Sequence, residues 1–370
     1  MNYYKKELDI IKKSNRFRKR KIFKQNILDL ASNDYLGLTK KKKHLQKTYK
    51  KLKQHNYYGP KSSALVNGYS KIHQKFEKKL TKLNRFEKGV VVGSGFLANL
   101  ALIESMVRKN DILFIDKQYH ASGMVAKNLI QGEVVEFEHN SFNDLEEKII
   151  EKQSNKNYNR IIIAIEGIYS MYGDIAPKQF NTIASKYNAI LIVDEAHSSG
   201  VIGKNLMGWF DYHKIKPKKN HIKMGTLGKA YGSYGAYILG SKEIISYLEN
   251  RAKTIIYSTA PSLFDIELAH TNLNYINKNS KKISKKISKY QKLVKNILGI
   301  KIDGLILPIN IGNNKKVIDI QRSLLQNNYL VGAIRQPTVN KAILRIILKL
   351  DIKKSKIKNL LKIIKKGKYE

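Results

Sequence analysis

The sequence predicts an α/β fold, a large domain built on a mainly parallel sheet, followed by a small C-terminal α+β domain. Three observations carry this expectation. From about residue 39 to residue 272, short β-branched runs alternate with longer helical patterns, as repeated βαβ units require. The runs are KGVVVGS, DILFID, EVVEFEH, RIIIAIEG, AILIVDEAH, IKMGTLGK and GAYILG, each bounded by Gly, Asp or Asn. Beyond them the pattern turns helical and Lys-rich, then returns to strands of a different spacing.

In chain order, residues 1–38 form a first segment: a basic amphipathic helix, a short strand ILDLAS, and the turn Asn33-Asp34-Tyr35-Leu36-Gly37. The large domain is expected over 39–272 and the small one over 273–370. A long helix or helix pair is read between Ser262 and Leu298. LILPINIG, a helix around Lys316 to Gln326, YLVGAI, LRIILKL and a Lys-rich terminal helix complete the small domain. The Lys-rich tail reads as a solvated helix face.

Composition narrows the function classes. With 42% hydrophobic and 27% charged residues and only 6 Pro in 370 positions, the chain has a globular profile. The 70 Lys and Arg against 29 Asp and Glu leave a net charge of +41. That field could draw nucleic acid, an anionic membrane or an acidic substrate. The lysines are spread along the chain among many Ile and Asn, however, so neither a nucleic-acid nor a membrane partner is expected. No cysteine is present, which removes thiolate metal sites, iron–sulfur clusters and a Cys nucleophile. No metal is expected. The start, MNYYKKELDIIKKSNRFRKRK, has no apolar h-region, and the expectation is a cytoplasmic protein.

Three segments carry the chemistry: EGIYSMYGD (Glu166 to Asp174), VDEAHSSGVIG (Val193 to Gly203) and TLGKAYGSYG (Thr226 to Gly235). In each, a polar group follows a strand, and open α/β sheets bind ligands beyond the carboxyl ends of their strands. Singly, these residues have bland readings as a helix cap, a hydrogen-bonded loop His and a surface Lys. Together they fit a pyridine-aldehyde cofactor, which needs a Lys amine, a carboxylate for the ring nitrogen and donors for a phosphate. Lys229 stands among Gly228, Gly232, Ser233 and Gly235, with Thr226 just before it, so a bulky ligand can approach.

A second feature is GVVVGSGFLANLAL, a strand, a Gly turn and a helix, whose N-terminal N–H groups make Gly95 and Phe96 candidates for phosphate contacts. GSGFLA also matches a dinucleotide fingerprint, and Asp116 ends a strand about twenty residues on. An NAD-dependent oxidoreductase is therefore the rival reading.

The ordered segments ASNDYLGL, VNGYSKIHQKFEKKL, GSGFLANLAL, HAS, HNSFNDLEE, EGIYSMYGDIAP, VDEAHSSGVIG, GTLGKAYGSYGAYILG, IYSTAPS and AIRQPTVNKAILRI resemble the signatures of the α-oxoamine synthases over nearly the whole chain. The resemblance implies pyridoxal 5'-phosphate (PLP) as cofactor, the fold type I aminotransferase-like architecture, and a homodimer. It implies Lys229 as the cofactor-bonded lysine and general base, Asp194 as the ring-nitrogen partner, and His120 as the imidazole stacked on the cofactor. Ser170 and His197 would lie at the ring and its 3-oxygen, and Gly95, Phe96 and Thr226 at the phosphate or ring edge. Arg345 would bind the substrate carboxylate, with Thr338 and, in preference to Arg16, Arg18 as further substrate contacts.

The implied activity is condensation of L-alanine with a pimeloyl thioester, carried by CoA (pimeloyl-CoA) or by an acyl carrier protein, to 8-amino-7-oxononanoate in biotin biosynthesis. The alternative within the family is a sister enzyme such as glycine C-acetyltransferase, to which VNGYSKIH is less similar. Departures from the family pattern are Gly59-Pro60-Lys61-Ser62-Ser63-Ala64 in a loop of the acyl-substrate region, Gly228 before the lysine, and Lys341-Ala342-Ile343-Leu344-Arg345 near the C-terminus.

Overall fold

The structure is a computed structural model and describes residues 2–367. Its strands, in chain order, are β1 (Leu28–Asp29), β2 (Lys88–Val92), β3 (Ile112–Asp116), β4 (Glu133–Phe137), β5 (Ile161–Glu166), β6 (Ile190–Asp194), β7 (His221–Thr226), β8 (Ala236–Gly240), β9 (Ile306–Gly312), β10 (Tyr329–Leu330), β11 (Gly332–Ile334) and β12 (Ala342–Ile347). All seven runs read from the sequence as strands of the large domain are strands, β2 to β8.

The chain divides into two compact units. The larger comprises residues 36–170 and 174–287; the smaller comprises 1–35, 171–173 and 288–370. The division falls inside the helix Ser280–Leu298, and the N-terminal segment belongs to the same unit as the C-terminal residues.

The larger unit holds a seven-stranded sheet of order β2-β8-β7-β6-β5-β3-β4. Every pairing is parallel except those of β8, which runs antiparallel to both β2 and β7. The sequence reason is plain in IIIAIE and ILFID: strands covered on both faces are apolar throughout rather than alternating. All six residues of β5 and all five of β3 are buried. Helices such as Gly95–Met106, with Ala98, Ala101, Leu102 and Ile103 fully packed, supply part of that cover.

In the smaller unit, β9 and β11 flank β12 in an antiparallel sheet, and β1 pairs in parallel with β10. YLVGAI, read as one run, is thus split at Val331 between two sheets. The segment before residue 36 is tied down by backbone bonds Ile347 N to Leu30 O (2.8 Å) and Leu350 N to Tyr35 O (2.9 Å). It is also held by the buried Lys349, whose Nζ pairs with Asp29 Oδ2 at 3.2 Å and bonds Ser32 Oγ at 3.2 Å. No helix among the described residues is long and apolar enough to cross a membrane.

Candidate active site

β5, β6 and β7 are neighbours in the sheet, so the loops that leave their carboxyl ends open onto one edge. Glu166 closes β5, Asp194 closes β6 and Thr226 closes β7, and Glu166 and Asp194 are register partners. β2 runs in the same sense as β7, because β8 is antiparallel to both, so the helix Gly95–Met106 begins on the same side. A Cβ built on Gly95 would lie 3.8 Å from Thr226 Cβ with nothing nearer, which places the two together and leaves room before them.

Lys229 Nζ lies 2.8 Å from His197 Nε2. Asp194 is buried, and both its oxygens are aimed: Oδ1 accepts from Ala196 N at 2.9 Å and Oδ2 from Asn99 Nδ2 at 2.8 Å. Asn99 also donates to Ser122 Oγ (2.8 Å) and accepts from the Tyr119 hydroxyl (2.8 Å). Ser122 Oγ in turn lies 2.7 Å from His120 Nδ1, which accepts from Ser122 N and caps the helix Ala121–Ala126. Burial pushes His120 below its ordinary pKa; Asp194 works against that shift and Lys229 with it. A neutral ring whose Nδ1 accepts an N–H carries its proton on Nε2. The Lys229–His197 pair and the chain Asp194–Asn99–Ser122–His120 thus stand at the same sheet end, and Lys229 and Asp194 both act electrostatically on His120.

Thr226 Oγ1 accepts from Gly228 N (3.2 Å) and donates to Gly235 O (3.1 Å), fixing the turn that carries Lys229. Ser94 Oγ caps the helix at Leu97 N (3.2 Å), while Phe96 stays exposed at the first turn. Ser170 is buried four residues past the end of β5.

The substrate candidates lie in the smaller unit. Arg345, on β12, is buried, and both of its terminal nitrogens reach Asn33 Oδ1 at 3.1 Å. Thr338 is exposed in the turn after Arg335. Arg18 is exposed and lines a cleft of about 700 Å³ with Phe17, Phe23, Leu325 and Arg335. Arg16 points its Nε to Ser14 Oγ (2.9 Å) instead.

The NAD reading fails on topology. GSGF follows β2 and Asp116 ends β3, but β8, β7, β6 and β5 stand between these two strands, whereas a dinucleotide fold needs them adjacent. Asp116 is also fully committed: it accepts from Gln118 N (2.7 Å), Asn140 N (2.8 Å), the Tyr169 hydroxyl (2.8 Å) and His139 Nδ1 (3.0 Å).

Sequence reasoning missed Asn99, Ser122, Tyr119 and Glu166. Asn99 had a signal: it is a lone amide in the apolar helix GFLANLALI, and a buried amide needs partners. Glu166 sits inside a motif already singled out, and only the strand register sets it beside Asp194.

Residues 25–364 match the family model described as aminotransferase class I and II. The chain belongs to that family, and it is a PLP-dependent enzyme. Within the family it is similar to the α-oxoamine synthases. An 8-amino-7-oxononanoate synthase of Helicobacter pylori (strain J99 / ATCC 700824) is 43% identical over 348 residues, covering 94% of this chain and 92% of that protein. A solved 8-amino-7-oxononanoate synthase from Francisella tularensis superposes with a TM-score of 0.75 at 27% identity, covering 93% of this chain and 98% of that one. The serine palmitoyltransferase of S. paucimobilis, solved with a PLP–myriocin adduct, shares the fold at a TM-score of 0.88 and 20% identity, covering 99% of this chain and 96% of that one.

The residues at the sheet edge fit PLP. A buried, twice-bonded carboxylate, a lysine amine beside an imidazole, and open space before Gly95 match a pyridine nitrogen, an aldehyde and a phosphate in turn.

Proposed function

We propose that this enzyme condenses L-alanine with a pimeloyl thioester to give 8-amino-7-oxononanoate, carbon dioxide and the free thiol carrier, a step of biotin biosynthesis. The observation that carries the reading is the Lys229–His197 pair at 2.8 Å on the loop edge shared with the buried Asp194. The choice of substrates leans on the similarity to proteins named for that product.

Lys229 would hold the cofactor through its amine, and Asp194 would face the ring nitrogen. His120 would stack on the ring, Ser170 and His197 would lie at the ring and its 3-oxygen, and Gly95, Phe96 and Thr226 would serve the phosphate or ring edge. When bound, PLP supplies a conjugated, electron-withdrawing ring that stores the electron pair left at the amino-acid α-carbon. The Lys229 amine, which lies 2.8 Å from His197 Nε2, would take the α-proton of alanine. The α-carbon then bonds to the thioester carbonyl carbon, the thiol departs, and the alanine carboxylate leaves as carbon dioxide. Lys229 returns a proton to the same carbon. Asp194, its orientation fixed by Asn99 and Ala196, would keep a negative charge facing the ring nitrogen. Arg345 would hold a carboxylate, with Thr338 and Arg18 as further substrate contacts.

The chain is further inferred to work as a homodimer. The loop around Ser63 is joined to Thr259 by a β-bridge and to Ala260 by a backbone bond (3.0 Å), and Leu65, Val66 and Tyr257 beside it are exposed apolar surface a second copy would cover. Sedimentation of a single species at monomer mass in the micromolar range would refute this.

The test of the reaction is an assay with alanine, glycine or serine against pimeloyl-CoA. Product from alanine is expected. Equal or better turnover of glycine with a short acyl thioester would move the enzyme to the glycine C-acetyltransferase branch.

A further inference from the structure

Two carboxylic groups lie side by side at the heart of this site, and only one of them has been used. Glu166 and Asp194 are Cα partners at the carboxyl ends of adjacent parallel strands, so their side chains leave the sheet on the same side. Both are almost fully buried, at 1% and 3% exposure. Two neighbouring carboxylates withdrawn from water do not both stay ionised, because each burial and their mutual repulsion favour one shared proton.

Hydrogen bonding decides which group keeps it. Asp194 receives two N–H donors, from Ala196 and Asn99, an arrangement that favours the ionised form. Glu166 receives a backbone N–H from Ser170, while its Oε1 is buried with no hydrogen-bond partner among the described residues. A carboxylic acid whose carbonyl oxygen accepts from Ser170 and whose other oxygen bears hydrogen fits this pattern; a carboxylate would leave a charged oxygen unmet in the interior. The charged groups acting on Glu166 are Asp194, Asp116 and one cation, Lys229. Asp116 is occupied by His139 and Tyr169, and the Tyr119 and Tyr169 hydroxyls are themselves pushed toward the neutral form by burial.

We propose that Glu166 is a positioning residue, the neutral acid of an acid–carboxylate pair with Asp194, and that it keeps the pair's single negative charge on Asp194, where the cofactor ring nitrogen would meet it. The inference rests on the cofactor reading above and deepens it. Burial first, then the repulsion of Asp194, raises the Glu166 carboxyl well above the usual carboxylate range, in agreement with the geometry. The free Oε1 then presents an O–H donor, not a lone pair, to whatever occupies the space beside it. Two carboxyl groups placed a strand apart thereby acquire different roles, one ionic and one a neutral donor.

Infrared difference spectroscopy of the PLP-loaded enzyme tests this, using protein made with ¹³C-carboxyl glutamate or ¹³C-carboxyl aspartate and, separately, Glu166→Gln. Wild type is expected to show a protonated-carboxyl C=O band that moves with the glutamate label, persists from about pH 6 to about pH 9, and is lost in Glu166→Gln. Among the described residues Glu77 is the other glutamate raised by burial, to about 7, and its band would disappear across that range. A band that moves with the aspartate label would place the proton on Asp194 and overturn the proposal. So would the absence of any glutamate band at high pH in wild type, which does not depend on the variant folding. Failure of the protein to develop cofactor absorbance would instead strike the cofactor reading, so the two failures are distinct.

Discussion

At the scale of single residues, the site depends on groups whose loss has separate signatures. Lys229→Ala removes the amine paired to His197, and is expected to abolish both the bound-cofactor absorbance and turnover while leaving the fold intact. Borohydride reduction followed by peptide mapping should mark the peptide around Lys229 in wild type, and a label on another lysine would refute the assignment. Asp194→Asn replaces a charge with a neutral amide of the same shape. It should bind cofactor but slow exchange of the alanine α-hydrogen by about 10²-fold or more, since an amide cannot hold the ring nitrogen protonated. Near-normal exchange would remove Asp194 from that role. Asn99→Ala strands the Tyr119 hydroxyl and one Asp194 oxygen, each of which lies in the interior. A stability loss of about 1–3 kcal/mol is expected by denaturant unfolding, together with weaker cofactor retention.

At the scale of elements, the seven strand runs of the large sheet could be read from the chain because strands covered on both faces carry unbroken apolar runs. Their order could not, since register and neighbour choice are set by packing at long range. That gap explains the rival NAD reading: GSGFLA and Asp116 have the right local spacing, and only the four strands between β2 and β3 disqualify them. It also explains why Glu166 was passed over while Asp194, from the next strand, was not. Loop-borne polar clusters were equally hidden. His139, in HNSFNDLEE, bridges Asp116 (Nδ1, 3.0 Å) and Asp174 (Nε2, 2.8 Å), and Asn140 bonds Asp174 as well, so the end of β3 is tied to the loop that follows β5. Burial opposes charge on this imidazole, but the two carboxylates outweigh it and lift its pKa to about 9. A group whose pKa rises on folding stabilises fully below its unfolded value, about 6.5, and loses that contribution as pH rises through the folded value. The melting temperature is therefore expected to decline between about pH 6.5 and about pH 9 in wild type, with a shallower decline in His139→Gln. Parallel curves for the two proteins would show that the bridge contributes nothing.

At the scale of the whole molecule, the net charge of +41 bears on the thioester donor. An acidic carrier protein would be steered by such a field over roughly a Debye length, about 10 Å at 0.1 M salt, while a CoA ester depends mainly on local contacts. If a carrier protein is the natural donor, kcat/KM for the carrier-borne acyl group should fall more steeply with salt than that for pimeloyl-CoA; parallel salt curves would assign the lysines to solvated surface alone. The central claim is the reaction itself, and mass analysis of the products from carboxyl-labelled alanine, pimeloyl-CoA and the PLP-loaded enzyme tests it most directly. The account predicts unlabelled 8-amino-7-oxononanoate, labelled carbon dioxide and free CoA in equal amounts. Label retained in an amino-acid product, or no condensation with alanine at all, would contradict it.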